Sequence, residues 1–220
     1  MLIFSVGAAS DGASVDADAV RRYLQTHPEF LLEHEELAAA ALAQGRTAGL
    51  REGMERRRQA MADLARPGGK SAGPLKFRGR LQLVYFGFTQ CPDVCPVTLA
   101  NIAKAMRLLA DKADLVQPLF ISIDPERDRP GILAQYVHYF DSAMIGLTGT
   151  PEQIARVQAA FGVTNEKIPA QNGTGSHAFQ HSAWIYLMGD NGQMLERFPG
   201  HIAPDALAAA MAPFLTTGTP

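Results

Sequence analysis

Both cysteines of the chain lie in one continuous segment, residues 81–96, whose sequence is LQLVYFGFTQCPDVCP. Residues 81–88 are apolar and aromatic and predict a buried β-strand, and the residues after the motif predict a helix. Cys91 and Cys95 thus lie four residues apart at a strand-to-helix junction, on one face of the helix if it begins at the motif. A helix N-terminus favours thiolate over thiol, so both sulfurs can face one ligand or each other. The alternative is that both cysteines are buried and purely structural. Their position beside prolines at the start of a helix argues against that alternative.

The composition is that of a globular protein with one medium domain and an extension, or with two small domains. The chain has 220 residues, of which 47% are hydrophobic, and a net charge of −2. That charge argues against nucleic acid as the main partner. Two cysteines are too few for a disulfide scaffold, and no apolar run reaches the roughly 18 residues that a membrane span needs.

Strands and helices alternate in the second part of the chain. Strands are predicted at 81–88, 119–123, 144–147, 183–187 and 193–198, helices at 96–112, 130–140, 151–161 and 204–214, and a loop from 162 to about 180. Gly189-Asp190-Asn191-Gly192 predicts a hairpin turn between the last two strands. This order implies an α/β fold of thioredoxin-like type, with a central mixed sheet flanked by helices. That fold carries its chemistry at the first strand-to-helix turn.

The first part of the chain has a different composition and is predicted to be separate. Residues 1–15 are predicted to be disordered, residues 16–66 to form a helical extension, and residues 67–77 to be a linker rich in Gly and Pro. The thioredoxin-like domain is then residues 78–220.

The extension has an apolar stripe whose role the sequence leaves open. Leu50, Met54, Met61 and Leu64 repeat near heptad spacing, and Gly45 is predicted to end the helix before them. The arginines at 56–58 are interpreted as a solvated helix face. We expect the stripe to mediate self-association between chains; the alternative is that these helices fold back onto the domain and cover its sheet edge.

Two thiolates at a helix start suit either thiol–disulfide exchange or a soft metal such as Cu(I), and a third ligand distinguishes the two. The candidates are the six histidines, His27, His34, His138, His177, His181 and His201. His181 stands just before the strand that begins near Ala183. Redox-active thioredoxins usually carry a cis-proline at this position, and residues 180–182 of this chain contain no proline. Its position alone allows a ligand or a packed core histidine. His177 is a candidate accessory ligand in the preceding loop.

Four separated motifs, in order, resemble the Sco/SenC copper proteins. These are YFGFTQCPDVCP at 85–96, SIDPERD at 122–128, LTGT at 147–150 and HSA at 181–183. The resemblance covers roughly residues 78–214. It implies a thioredoxin-like fold, copper bound by Cys91, Cys95 and His181, and a role in assembling the binuclear copper centre of cytochrome c oxidase. It also implies that Asp93 tunes the charge near the metal and that Asp124 has at most a supporting role.

Several consequences of the resemblance are expectations. We expect copper to be bound as Cu(I), and binding of Cu(II) is left open. The expected partners are the copper-binding subunit of the oxidase and an upstream copper donor. The expected location is the periplasm. The alternatives are a thiol–disulfide oxidoreductase acting on that subunit's cysteines, or a redox or copper sensor. The β-hairpin that usually precedes the cysteine strand in this family is absent apart from residues 77–80, and the extension resembles the N-terminal segment of DsbA-like proteins at 20–24 and 27–29.

Overall fold

A computed structural model of the chain describes residues 35–64, 79–169 and 177–215. The chain divides into two compact units, with the boundary between Gly49 and Leu50. In the first unit, the described residues form the beginning of helix α1 (Glu35–Ala62). This helix continues through Gly45, so the prediction that Gly45 ends a helix is wrong. The predicted disordered segment and first helices lie outside the described residues, as do the linker and the segments that resemble DsbA-like proteins.

The second unit contains the sheet and the cysteine motif. After α1 the elements are β1 (Leu81–Gly87), α2 (Val94–Leu108), β2 (Val116–Ser122), α3 (Pro130–Phe140), β3 (Ile145–Leu147), α4 (Pro151–Phe161), β4 (Asn165–Pro169), β5 (His177–His181), β6 (Trp184–Met188), β7 (Met194–Pro199) and α5 (Pro204–Met211). Short 3₁₀ helices cover Ala110–Leu115 and Ala212–Phe214.

The main sheet has five strands in the order β3-β2-β1-β6-β7. Strands β1, β2 and β3 are parallel to one another, whereas β6 pairs antiparallel with β1 and β7 pairs antiparallel with β6. The parallel strands need crossover helices, and α2 and α3 provide them. The predicted mixed sheet is therefore confirmed, and strand β1 lies at its centre.

Helices cover both faces of β1, which explains its continuous apolar sequence. Side chains alternate between the faces of a strand. The Tyr85 hydroxyl contacts the sulfur of Cys95 in α2, while the Phe86 ring packs against Phe161 in α4 at 5.2 Å between centroids. The cysteine-bearing helix thus packs on the face that Tyr85 and Gly87 share.

The C-terminal end of α1 belongs to the second unit. Met61 and Leu64 are buried in its hydrophobic core, and Gln153 donates a hydrogen bond to the Asp63 carbonyl at 2.8 Å. Arg57 is partly buried and donates to the Gly192 carbonyl at 3.1 Å, so the interpretation of the arginine run as a solvated face holds only for its two exposed neighbours. Residues 50–64, which the sequence analysis assigns to the extension, therefore pack with the sheet.

Two other predictions about elements are wrong. The helix predicted to reach residue 112 ends at Leu108, because Ala110 adopts a left-handed conformation with φ 52° that an α-helix cannot continue through. The predicted loop from 162 to 180 contains the antiparallel strands β4 and β5, which form a separate two-stranded sheet. His181 is the last residue of β5 and lies just before β6, as predicted.

Candidate metal centre

The cysteine motif connects the end of β1 to the start of α2. The Cys91 amide donates to the Phe88 carbonyl at 3.2 Å, which closes a turn after the strand. Asp93 is the N-cap residue of α2, and Cys95 lies in the first turn of the helix. The predicted placement of both thiols at a strand-to-helix junction is therefore confirmed, with Cys91 in the turn before the helix and Cys95 inside it.

The two sulfurs have different surroundings. Cys95 is fully buried, with an exposed fraction of 0%, whereas Cys91 is partly exposed. The hydrogen bond from the Cys95 thiol lowers the pKa of Cys91 to about 5, against the effect of burial. The amides of Cys95 and Asp93 act in the same direction, as does His181 when its ring is protonated. The bond to Cys91 and burial both raise the pKa of Cys95. At neutral pH Cys91 is therefore a thiolate, and Cys95 is a thiol that donates to it.

His181 brings an imidazole nitrogen to the buried sulfur. Its Nε2 lies 3.7 Å from Cys95 Sγ, and its Nδ1 lies 3.2 Å from the Ser182 carbonyl oxygen. A carbonyl only accepts hydrogen bonds, so Nδ1 carries the proton and the Nε2 lone pair faces the cysteine. Burial lowers the pKa of His181, which keeps the ring neutral at pH 7. A neutral imidazole with its second nitrogen bonded to a carbonyl is the form in which histidine binds metals.

The donor set fits a soft metal ion. Soft sulfur ligands favour Cu(I) and Zn²⁺, and imidazole suits both ions. With the bond lengths of zinc sites, about 2.3 Å to sulfur and about 2.0 Å to nitrogen, the two ligand atoms of one ion lie roughly 3.5–3.8 Å apart. The separation between Cys95 Sγ and His181 Nε2, 3.7 Å, falls in that range. As the side chains stand, the described residues include no group of three or more His, Cys, Asp or Glu already arranged to hold a metal. The pair Cys95–His181 is thus placed for one ion, and the Cys91 sulfur accepts a hydrogen bond from the Cys95 amide at 3.4 Å.

Aromatic side chains enclose this pair. The Tyr85 hydroxyl lies 3.8 Å from Cys95 Sγ, and the ring of Phe88 lies 6.2 Å from the His181 ring in an edge-to-face arrangement. Burial and the nearby cysteines raise the pKa of Tyr85, so its hydroxyl remains protonated and able to donate. The sequence analysis missed Tyr85 because an aromatic residue within an apolar strand is usually only a core residue.

Asp128 holds the segment that precedes Cys91. This carboxylate is completely buried and accepts three hydrogen bonds, from the Thr89 amide at 3.0 Å, the Thr89 hydroxyl, and the Ser122 hydroxyl at 2.7 Å. It therefore ties the end of β2 to the loop after β1. The sequence analysis missed Asp128, although an acidic residue that closes the motif SIDPERD directly after a buried strand is a signal for it.

Asp124, the neighbour in that motif, supports the same loop indirectly. Its buried carboxylate pairs with the Arg127 guanidinium, whose Nη1 donates to the Gln90 side-chain oxygen at 2.9 Å. Since Gln90 precedes Cys91, the expected supporting role of Asp124 agrees with its position.

The other candidate residues lie in several places. Asp93 is exposed beside the cysteines, where its charge faces solvent. His138 and His201 are exposed and make no described contact with the site. His177 begins β5, paired with Pro169, and its role as an accessory ligand stays a prediction. His27 and His34 lie outside the described residues.

The sheet order, the helices on both faces of β1 and the cysteine pair at the start of α2 define a thioredoxin-like protein. The family model SCO1/SenC matches residues 56–216. The structure of ScoI from Bradyrhizobium japonicum, described with copper bound, is 36% identical with a TM-score of 0.62, and the alignment covers 69% of this chain and 95% of that chain. The chain belongs to the SCO1/SenC family.

Similar proteins of known sequence come from bacteria and from mitochondria. The SCO2-like protein of Rickettsia prowazekii is 39% identical over 124 residues, which are 56% of this chain and 60% of the relative. The mitochondrial SCO1 homolog of Homo sapiens is 36% identical over 138 residues, 62% of this chain and 46% of the relative. The chain thus spans about half to three fifths of the length of these relatives.

Proposed function

We propose that this protein binds copper through Cys91, Cys95 and His181 and passes it to the copper-binding subunit of cytochrome c oxidase during assembly of its binuclear copper centre. The observation that carries the proposal is the placement of His181 Nε2, with its lone pair free, 3.7 Å from the buried sulfur of Cys95. The proposal is also supported by the copper-bound relative from Bradyrhizobium japonicum.

The unequal burial of the two thiols suggests how the site fills and empties. Cys95 and His181 are already placed, and the partly exposed Cys91, which accepts a hydrogen bond from Cys95, completes the ligand set. Cys91 is also the ligand that an incoming thiolate can reach and replace first, because the other sulfur is enclosed. Copper then moves by ligand exchange without release of the free ion, and Cys95 is the last sulfur ligand to dissociate. We expect Cu(I) as the cargo, since two thiolates and one imidazole suit it.

Anaerobic titration of the reduced protein with Cu(I) in the presence of a competing chelator tests this proposal. We expect one copper per chain, with loss of binding in Cys91→Ser and Cys95→Ser, since a lone thiolate with imidazole is a poor Cu(I) site. A parent protein that binds no copper in competition with the chelator would overturn the proposal.

The contrast between the cysteines also fits the alternative function, a thiol–disulfide reductase. In that reaction the Cys91 thiolate attacks a substrate disulfide, and Cys95 then attacks the mixed disulfide, which leaves the protein oxidised as a Cys91–Cys95 disulfide and the substrate reduced to two thiols. Turnover of a disulfide substrate by copper-free protein, with no copper binding, would favour this candidate. A sensor would instead change its affinity for a partner when copper is added.

We also propose a periplasmic location, because the family function implies that copper is delivered to the oxidase outside the bacterial cytoplasm. Among the described helices, none is both long enough and apolar enough to cross a membrane. Cell fractionation with antibody detection tests the location, and recovery of the protein from the cytosol alone would contradict it. Self-association through the helical extension, residues 16–66, remains a proposal that light scattering on the full chain tests.

A further inference from the structure

Gly87, the last residue of β1, faces the cysteine-bearing helix. A Cβ at this position would lie 2.7 Å from Cys95 Sγ and 2.8 Å from Cε2 of the Phe120 ring. Gly87 is not among the glycines with positive φ, so the backbone conformation does not itself require glycine. The requirement is space beside the buried sulfur.

The neighbours of Gly87 differ in how easily they can yield. The Phe120 ring is held between two other aromatic rings, Tyr85 at 6.1 Å and Tyr136 at 5.8 Å between centroids. Cys95 has a single side-chain torsion, and rotation about it would carry the sulfur away from the strand. A methyl group at position 87 would therefore displace the sulfur before it displaced the ring.

We propose that Gly87 is a positioning residue for the buried thiol: its missing side chain is what allows Cys95 Sγ to lie against β1 and within 3.7 Å of His181 Nε2. As far as it concerns copper, this inference rests on the proposed function. The same vacancy creates the contrast between an enclosed Cys95 and an accessible Cys91. The space beside Cys95 is thus a property of strand β1 and not of the cysteine motif.

The test compares Gly87→Ala with Gly146→Ala. Gly146 lies in β3, two strands away, and its Cβ would lie 2.6 Å from Leu133 Cγ, so the control introduces similar crowding far from the thiols. We expect Gly87→Ala to weaken Cu(I) affinity by about 10- to 100-fold, as substitutions that support a ligand typically do, and to change the ultraviolet thiolate-to-copper absorption. As long as the Gly146→Ala chain remains folded, its Cu(I) affinity and its absorption should equal those of the parent, even if its stability is lower.

A second variant separates folding from positioning. In Gly87→Ala with Phe120→Leu, the ring atoms that crowd the new methyl are gone, and only the sulfur of Cys95 opposes it. We expect this double variant to fold and still to show the weakened copper site, whereas Phe120→Leu alone should bind nearly as the parent does. A double variant that fails to fold, or that binds copper like the parent, overturns the inference.

Alkylation of the copper-free protein keeps this test independent of the copper proposal. Under native conditions Cys95 of the parent should react slowly, because its sulfur is buried. In the Gly87→Ala and Phe120→Leu double variant we expect Cys95 to react at least about tenfold faster than in Phe120→Leu alone, measured by mass spectrometry of the labelled peptide. Equal rates would contradict the positioning role even if the parent binds no copper.

Discussion

Replacing Asp128 by alanine removes the acceptor that joins β2 to the loop before Cys91. The carboxylate receives hydrogen bonds from the amide and hydroxyl of Thr89 and from the hydroxyl of Ser122. Ser122 is completely buried, while Thr89 is partly exposed. The three donors therefore differ in how easily water can replace the lost carboxylate.

The expected loss of stability follows from that difference. A buried donor left without an acceptor costs about 1–3 kcal/mol, which applies to the Ser122 hydroxyl. The two donors of Thr89 can turn toward water, so each contributes only the net value of a hydrogen bond, about 0.5–1.5 kcal/mol. Asp128→Ala should thus lower the free energy of unfolding by about 4 kcal/mol, a large part of the roughly 5–15 kcal/mol typical of a domain. Asp128→Asn keeps two of the acceptor contacts and should cost about 1 kcal/mol.

Urea unfolding followed by fluorescence measures these differences. The matched control is Asp141→Ala, which removes one exposed contact to the Ala143 amide at 2.8 Å and should cost less than about 1 kcal/mol. Because Thr89 lies two residues before Cys91, Asp128→Ala should also weaken Cu(I) binding by about 10-fold or more. A loss of stability no larger than that of the control, with unchanged copper affinity, would refute the assigned role of Asp128.

Three further predictions address the thiols, the histidine and the end of α1. Alkylation of Cys91 in copper-free protein should stay fast from pH 8 down to pH 6 and slow only as the pH falls through about 5, because the reactive thiolate persists above its lowered pKa; a midpoint near the ordinary value of 9.0 would contradict the hydrogen bond from Cys95. His181→Ala should weaken copper binding while the circular dichroism spectrum and unfolding midpoint stay close to those of the parent, and unchanged affinity would make His181 structural. Leu64→Ala should lower the unfolding free energy by about 2–5 kcal/mol, since Leu64 is 0% exposed, whereas Leu50→Ala, at a residue 64% exposed, should change it by less than about 0.5 kcal/mol; equal effects would mean that α1 does not pack on the domain.

The sequence predicts those elements of the fold that have strong local signals. Helices Pro130–Phe140 and Pro151–Phe161 begin with proline at the first helical position and were predicted with the observed bounds. Strands β4 and β5 were missed because Asn165–Pro169 and His177–His181 lack an apolar run, and their pairing is a tertiary event. The left-handed Ala110 that ends α2 likewise has no signal, since alanine is the best helix former.

The residues of the candidate site also differ in how far the sequence alone predicts them. Cys91 and Cys95 follow from spacing and from the strand-to-helix junction. His181 needed the resemblance to a family, because its proximity to Cys95 depends on the second sheet, which local sequence does not predict. Asp128 and Gly87 act through contacts between β1, β2 and α2, so their roles emerge only once those elements are packed together. Met61 and Leu64 of the heptad stripe are buried in the core of the second unit. Heptad spacing alone does not distinguish such packing from an interface between chains.

The central claim is that one copper is held by the sulfurs of Cys91 and Cys95 and by the Nε2 of His181. Copper K-edge X-ray absorption of the anaerobically loaded protein measures these ligands directly. We predict two sulfur ligands and one nitrogen ligand per copper in the parent, and loss of the nitrogen contribution, with the sulfurs retained, in His181→Ala. An all-sulfur site in the parent, or a nitrogen contribution that survives in His181→Ala, would contradict this ligand set.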